Sequence, residues 1–104
     1  MTRLEQLRQF LADDPSDPFN TYALALERLK SDVGEATALL LGLLQTHPDY
    51  LPTYYQAATL LAATGRSSEA LQIAEQGMTL AQTRGDLKAR RELQALYDEW
   101  TAED

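Results

Sequence analysis

Apolar residues recur along this chain at helical spacing, broken at regular intervals by short clusters of Pro, Gly, Ser and Asp. Residues 2–12 place Leu4, Leu7, Phe10 and Leu11 on one side of a short helix. Asp13-Asp14-Pro15-Ser16-Asp17-Pro18 stops it, and Asp17-Pro18 opens a second helix, because an Asp side chain can cap and a Pro loses nothing in the first turn. That helix is expected from Pro18 to about Lys30. Ser31-Asp32-Val33-Gly34-Glu35 is the next turn, with Asp32 as cap of a third helix and Glu35 placed to complete a capping box. The third helix holds the most apolar run of the chain, Ala36 to Leu44, and ends near Thr46. This run falls short of the roughly 20 apolar residues that cross a bilayer, so it is expected inside a helical stack with the other segments covering it.

Pro48-Asp49-Tyr50-Leu51-Pro52 repeats the earlier punctuation and opens a fourth helix, about Pro52 to Thr64, which Gly65 closes as a left-handed residue. Ser67 and Ser68 are expected to cap a fifth helix reaching about Thr83, and Gly85-Asp86 divides it from a last helix, Leu87 to about Thr101. Leu93, Leu96, Tyr97 and Trp100 share one face of that helix. No segment alternates with period two over five residues, so the expected class is all-α with about six helices.

Residues 18–48 and 51–82 match each other. Glu35-Ala36 falls on Glu69-Ala70 at a spacing of 34, while Tyr22, Leu24 and Ala25 fall on Tyr55, Ala57 and Ala58 at 33, which implies a turn one residue shorter in the first copy. Tyr54, Ala57-Ala58, Leu61, Gly65, Ala70, Ala74 and Gly77 in the second copy resemble the tetratricopeptide repeat family. The first copy keeps Leu24-Ala25, Ala36, Leu40 and Pro48, but has Arg28 where Tyr or an apolar residue is usual and Ser31 where Gly is usual. The small residues have a physical purpose, since they let paired helix backbones approach closely. The resemblance implies a right-handed superhelical stack of antiparallel helix pairs, an α-solenoid in one domain of 1–104. In it, 2–12 is a half-repeat helix, 18–48 and 51–82 are the two repeats, and 86–101 is a capping helix.

Charge and composition narrow the function. The net charge of −7 speaks against nucleic acid and anionic lipid, both of which are bound through excess Lys and Arg. Only Lys30 and Lys88 are lysine, and this acidic, lysine-poor composition suits either ordinary solubility or a high-salt cytoplasm. With no cysteine there is no disulfide scaffold, thiolate zinc site or cysteine nucleophile. The amino-terminal stretch lacks the continuous apolar core of a signal peptide, and the expected location is cytoplasmic.

Candidate chemistry is sparse. His47 is the only histidine and reads as a residue of an exposed turn. Asp13-Asp14, Asp98-Glu99 and Glu103-Asp104 are sequence neighbours that point to different sides of a helix, so they read as solvated ends and not as a catalytic pair. The five glycines are spread singly, without a phosphate loop. No enzyme activity, cofactor or metal is expected.

What remains is a surface for a partner protein. By resemblance, the first helix of each pair lines a concave groove, at Tyr22, Leu26 and Leu29 in the first copy and Tyr55, Thr59, Ala62 and Ala63 in the second. The expected function is a non-catalytic adaptor holding a peptide or helix there, although Tyr22 and Leu26 also suit plain packing against the first helix. Some family members clamp a terminal carboxylate with Lys and Asn. Ala23 and Gln56 stand near those places here, leaving only Arg28 and Lys30 for a weaker contact to an acidic peptide. The alternative is a self-associating module, joined through an exposed patch of Leu39 and Leu41 on the third helix.

Overall fold

The computed structural model describes residues Met1–Ala102; the Glu103-Asp104 pair lies outside the described residues. Among the described residues six helices follow one another: α1 Arg3–Asp13, α2 Pro18–Arg28, α3 Val33–Thr46, α4 Pro52–Ala63, α5 Ser67–Arg84 and α6 Leu87–Thr101. None is long and apolar enough to cross a membrane. The chain divides into two compact units, one of Met1–Tyr50 and one beginning at Leu51.

In the first unit α2 packs against both α1 and α3. Its buried residues are Leu7 of α1, Leu24 and Ala25 of α2, and Ala36, Leu40 and Leu43 of α3. The apolar run is therefore buried along a stripe and not all round. Leu39 and Leu41, expected as an exposed patch, are half-buried, while Ala38 and Gly42 face solvent.

A carboxylate ties the three helices together. Glu35 accepts from Arg8 Nη2 of α1 at 3.0 and 3.2 Å and from Arg28 Nε of α2 at 2.5 Å. Arg28 also donates to Ser31 Oγ at 3.2 Å and to Asp32 Oδ2 at 3.3 Å. The two residues that break the family pattern, Arg28 and Ser31, are thus partners of each other. Asp32 caps α3 as expected, accepting from Glu35 N at 3.0 Å. The reciprocal half of the expected capping box is absent, because the two guanidinium groups take the Glu35 side chain. A complete box occurs instead at Thr2 and Glu5 on α1.

In the second unit α5 packs against both α4 and α6. The core is Tyr54, Ala57, Ala58 and Leu61 of α4, Ala70, Ile73, Ala74, Gly77 and Ala81 of α5, and Leu93 of α6. At Gly77 the three helices approach one another closely. A Cβ built there would lie 2.7 Å from Tyr54 Cβ and 2.8 Å from Leu93 Cδ1. The Leu93 methyl can swing aside, but Tyr54 Cβ moves only with its helix. Further along, Glu75, through hydrogen bonding foremost and then its charge, pushes the Tyr97 hydroxyl above its ordinary value.

Glycine ends two of these helices in the same way. Gly65 has φ of 84°, with Arg66 N donating to Leu61 O at 2.8 Å and Gly65 N to Ala62 O at 3.4 Å. Gly85 has φ of 70°, with Asp86 N donating to Ala81 O at 2.9 Å and Gly85 N to Gln82 O at 3.1 Å. Both are Schellman closures, in which a left-handed residue lets the chain reach back to the last free carbonyls. Because the first closure delivers the chain straight into α5, Arg66 and not a serine stands at its N-cap, and no side chain caps the helix. Asp86 does cap α6, accepting from Ala89 N at 3.0 Å. No such closure follows α2. Among the described residues none other than glycine has positive φ, so Ser31 is not left-handed, and Asp32 N returns to Arg28 O at 2.7 Å in a tighter turn.

Gly77→Ala should lower stability by roughly 1–2 kcal/mol, because about 1–3 kcal/mol of overpacking outweighs a helix-propensity gain of at most about 1. Gly42, with nothing within 4 Å of its added Cβ, is the control: Gly42→Ala should raise stability by roughly 0.5–1 kcal/mol. Thermal melts of both variants check the pair. If Gly77→Ala melts at or above wild type, the close approach is wrong.

The two turns differ in a way that substitution can read. Ser31→Gly should cost about 0.4–1 kcal/mol by loosening the unfolded chain, and Gly65→Ala should cost as much or more by straining the left-handed turn. A stability gain for Ser31→Gly in chemical denaturation would contradict the tighter turn.

The ion cluster makes a pH prediction. Hydrogen bonds from Arg8 and then Arg28 hold Glu35 below its ordinary 4.5, and the Glu35 amide followed by Arg28 holds Asp32 below its ordinary 3.8. A carboxyl lowered on folding stabilises fully above its unfolded value, and that stabilisation is lost as the pH falls through the folded one. Melting temperature should therefore fall on acidification below about 4.5. In an Asp32→Asn, Glu35→Gln variant the fall should be shallower; an equal fall would remove the cluster from the acid response.

Candidate partner-binding surfaces

The expected groove residues lie on the first helix of each pair, except Leu29, which follows the last residue of α2. Burial follows the expected spacings: Leu24 and Ala25 in α2 correspond to Ala57 and Ala58 in α4, and Ala36, Leu40 and Leu43 in α3 to Ala70, Ala74 and Gly77 in α5. With those residues turned inward, the other sides of α2 and α4 are left less covered.

In the first unit Tyr22 and Leu26 come together in a groove between α1 and α2, with a volume of about 290 Å³. Arg3 and Leu7 line it from α1, and Phe19, Ala23, Glu27 and Lys30 complete the other side. Both Tyr22 and Leu26 are half-buried. Tyr22 stands edge-on to Tyr50, with ring centroids 5.7 Å apart and planes at 68°, which fixes its ring at the groove wall. Burial, foremost, and the neighbouring Tyr22 and Asp17 push the Tyr50 hydroxyl above its ordinary value. Leu29 is half-buried and does not line this groove.

In the second unit Tyr55 is 37% exposed and borders a pocket of about 410 Å³. Leu51, Pro52, Ala89 and Leu93 give that pocket an apolar floor, and Arg84, Asp86 and Glu92 stand around it. Thr59 and Ala63 are exposed and Ala62 is half-buried, and none of the three lines the pocket.

Sequence reasoning passed over Phe19, which is 57% exposed at the mouth of the first groove. The signal was available, since Phe19 lies 33 residues before Pro52, another pocket residue. Arg28 moves out of the candidate set. Its side chain is only 18% exposed and is committed to Glu35, Asp32 and Ser31, whereas Lys30 remains accessible with Glu27 as its partner at 3.1 Å.

His47 is more than an exposed turn residue. It is half-buried at the end of α3, where Nε2 donates to Ser16 O at 3.1 Å, a carbonyl being able only to accept, so it joins the turn before α2 to the turn after α3. Among the described residues, no three His, Asp or Glu side chains lie close enough together to hold a metal ion.

A scan against protein-family models found no match, and a search of curated proteins found none. Solved structures are similar to this chain over most of its length. The crystal structure of a tetratricopeptide repeat domain protein from Salinibacter ruber is 39% identical, with a TM-score of 0.76, over 81% of this chain and 94% of that one. A solution structure of a tetratricopeptide repeat domain protein from the same organism is 38% identical, with a TM-score of 0.81, over 88% of this chain and 93% of that one. A protein from Bordetella parapertussis shares the fold at 24% identity, with a TM-score of 0.80, over 96% of this chain and 88% of that one. The repeat residues, the all-α solenoid of helix pairs and the identity over nearly all of the Salinibacter domain agree: this chain belongs to the tetratricopeptide repeat family.

Proposed function

We propose that this chain is a non-catalytic adaptor that holds a peptide or helix of a partner protein, with the open face of α2 in the first unit and that of α4 in the second each offering a contact surface. The tetratricopeptide fold is in general a scaffold for protein interaction, and it supports that class of function here. One observation carries the finer reading: α2 and α4 bury small and apolar residues along one stripe and place a half-buried Tyr22 and a 37% exposed Tyr55 at pocket walls beside it. Tyrosine suits such a place, because it offers a rigid apolar body with a polar tip at little entropic cost. The proposed contact residues are Tyr22 and Leu26 in the first unit and Tyr55 in the second, with Leu29 just past the end of α2 and Thr59, Ala62 and Ala63 on α4 as their neighbours.

A pull-down from native lysate with wild type and a Tyr22→Ala, Tyr55→Ala variant tests the assignment. The variant should lose most of the captured partners while keeping its helical circular dichroism. Equal capture by both proteins would remove these faces from the binding site.

A further inference from the structure

In the second unit a helix flanks the groove between α5 and α6. α4 lies there, with Tyr54 against Gly77 of α5, and Pro52 and Tyr55 facing Ala89 and Leu93 of α6 across the pocket of about 410 Å³. In the first unit α1 and α2 stand in the same order, a second-type helix followed by a first-type helix, but no helix of that unit fills the groove between them. Leu7 of α1 and Phe19, Tyr22, Ala23 and Leu26 of α2 leave it open with an apolar lining.

Charge adds to the description of what fits. Arg3 on one side of the groove has no ion pair among the described residues, and Lys30 on the other is 72% exposed and paired only with Glu27. Two cations and one carboxylate give this groove a positive surplus on a chain whose net charge is −7. At physiological salt, charges beyond about 8 Å are largely screened, so the local surplus outweighs the distant acidic surface. Backbone adds a further constraint. The groove walls are helices whose own amides and carbonyls are paired, so an extended strand entering between them would find no ladder to join. A helix satisfies its own backbone.

We propose that the α1–α2 groove receives one amphipathic helix of a partner protein, apolar on the entering face and acidic along its flank, in the position that α4 takes between α5 and α6. Phe19 and Leu26 meet the apolar face, and Arg3 and Lys30 meet the carboxylates. This inference rests on the adaptor reading and narrows it to one groove and one class of ligand.

Fluorescence anisotropy with the full chain tests it, using three labelled synthetic peptides of about 14 residues, or four helical turns. One carries Leu at helical spacing with Glu on the flanks, the second replaces every Glu by Lys, and the third keeps Glu but has a central Pro. The acidic helix should bind saturably and about tenfold more tightly than either of the others, a difference of about 1.4 kcal/mol. An Arg3→Glu, Lys30→Glu variant, altered only at exposed positions, should weaken it by about tenfold or more. Equal or tighter binding of the Lys peptide or the Pro peptide, no saturation with the acidic helix, or an unaffected charge variant would each overturn the proposal. Loss of pull-down partners in the tyrosine variant beside any of those results would sink this inference alone, whereas unchanged pull-down capture counts against the adaptor assignment itself.

Discussion

The second unit depends on an absence of side chain at Gly77. With Tyr54 Cβ and Leu93 Cδ1 both within 3 Å of the place a methyl would occupy, α4, α5 and α6 can meet only because α5 presents bare backbone there. The alanines around it extend the same principle: Ala57, Ala58, Ala70, Ala74 and Ala81 are all buried, so apolar area is removed from water by close backbone approach as well as by large side chains. Cavities and overpacking are both felt in such a core, since there are few flexible side chains to absorb a change of volume.

The first unit solves the same packing problem with different means. Leu43 stands 34 residues before Gly77 and is buried, so α3 presents a large residue where α5 presents none. Glu35, held by one arginine from α1 and one from α2, then joins the three helices on their more exposed side. Exposed ion pairs contribute little in general, and here the shared carboxylate matters chiefly for specifying how α1 and α3 stand against α2. Both cores draw α2 and α4 inward by the same pair of positions. The proposed partner surfaces are the consequence: they are what close packing on the opposite side leaves less covered.

Much of this was readable from residue order. Helix number and most boundaries followed from Asp17-Pro18, Gly65 and Gly85-Asp86, because capping and left-handed turns are local chemistry. The paired small residues also gave the family. What could not be read was three-dimensional pairing between residues far apart in sequence. Glu35 looked like half of a capping box until Arg8, 27 residues away, and Arg28 claimed its side chain. Arg28 looked available for a ligand for the same reason. The third helix looked apolar on most sides, yet Leu39 and Leu41 are half-buried because burial follows the stripe of Ala36, Leu40 and Leu43. Of the groove positions that the resemblance implied, Tyr22, Leu26 and Tyr55 border pockets, while Leu29, Thr59, Ala62 and Ala63 do not, since helical phase fixes direction but not the shape of the neighbouring helix.

Close approach at Gly77 is the central claim, and nuclear Overhauser contacts in the folded protein measure it directly. The Gly77 α protons should show strong cross-peaks both to the Tyr54 β protons and to a Leu93 δ methyl. Cross-peaks to only one of the two, or to neither, would contradict the meeting of α4, α5 and α6 on which this account of the core rests.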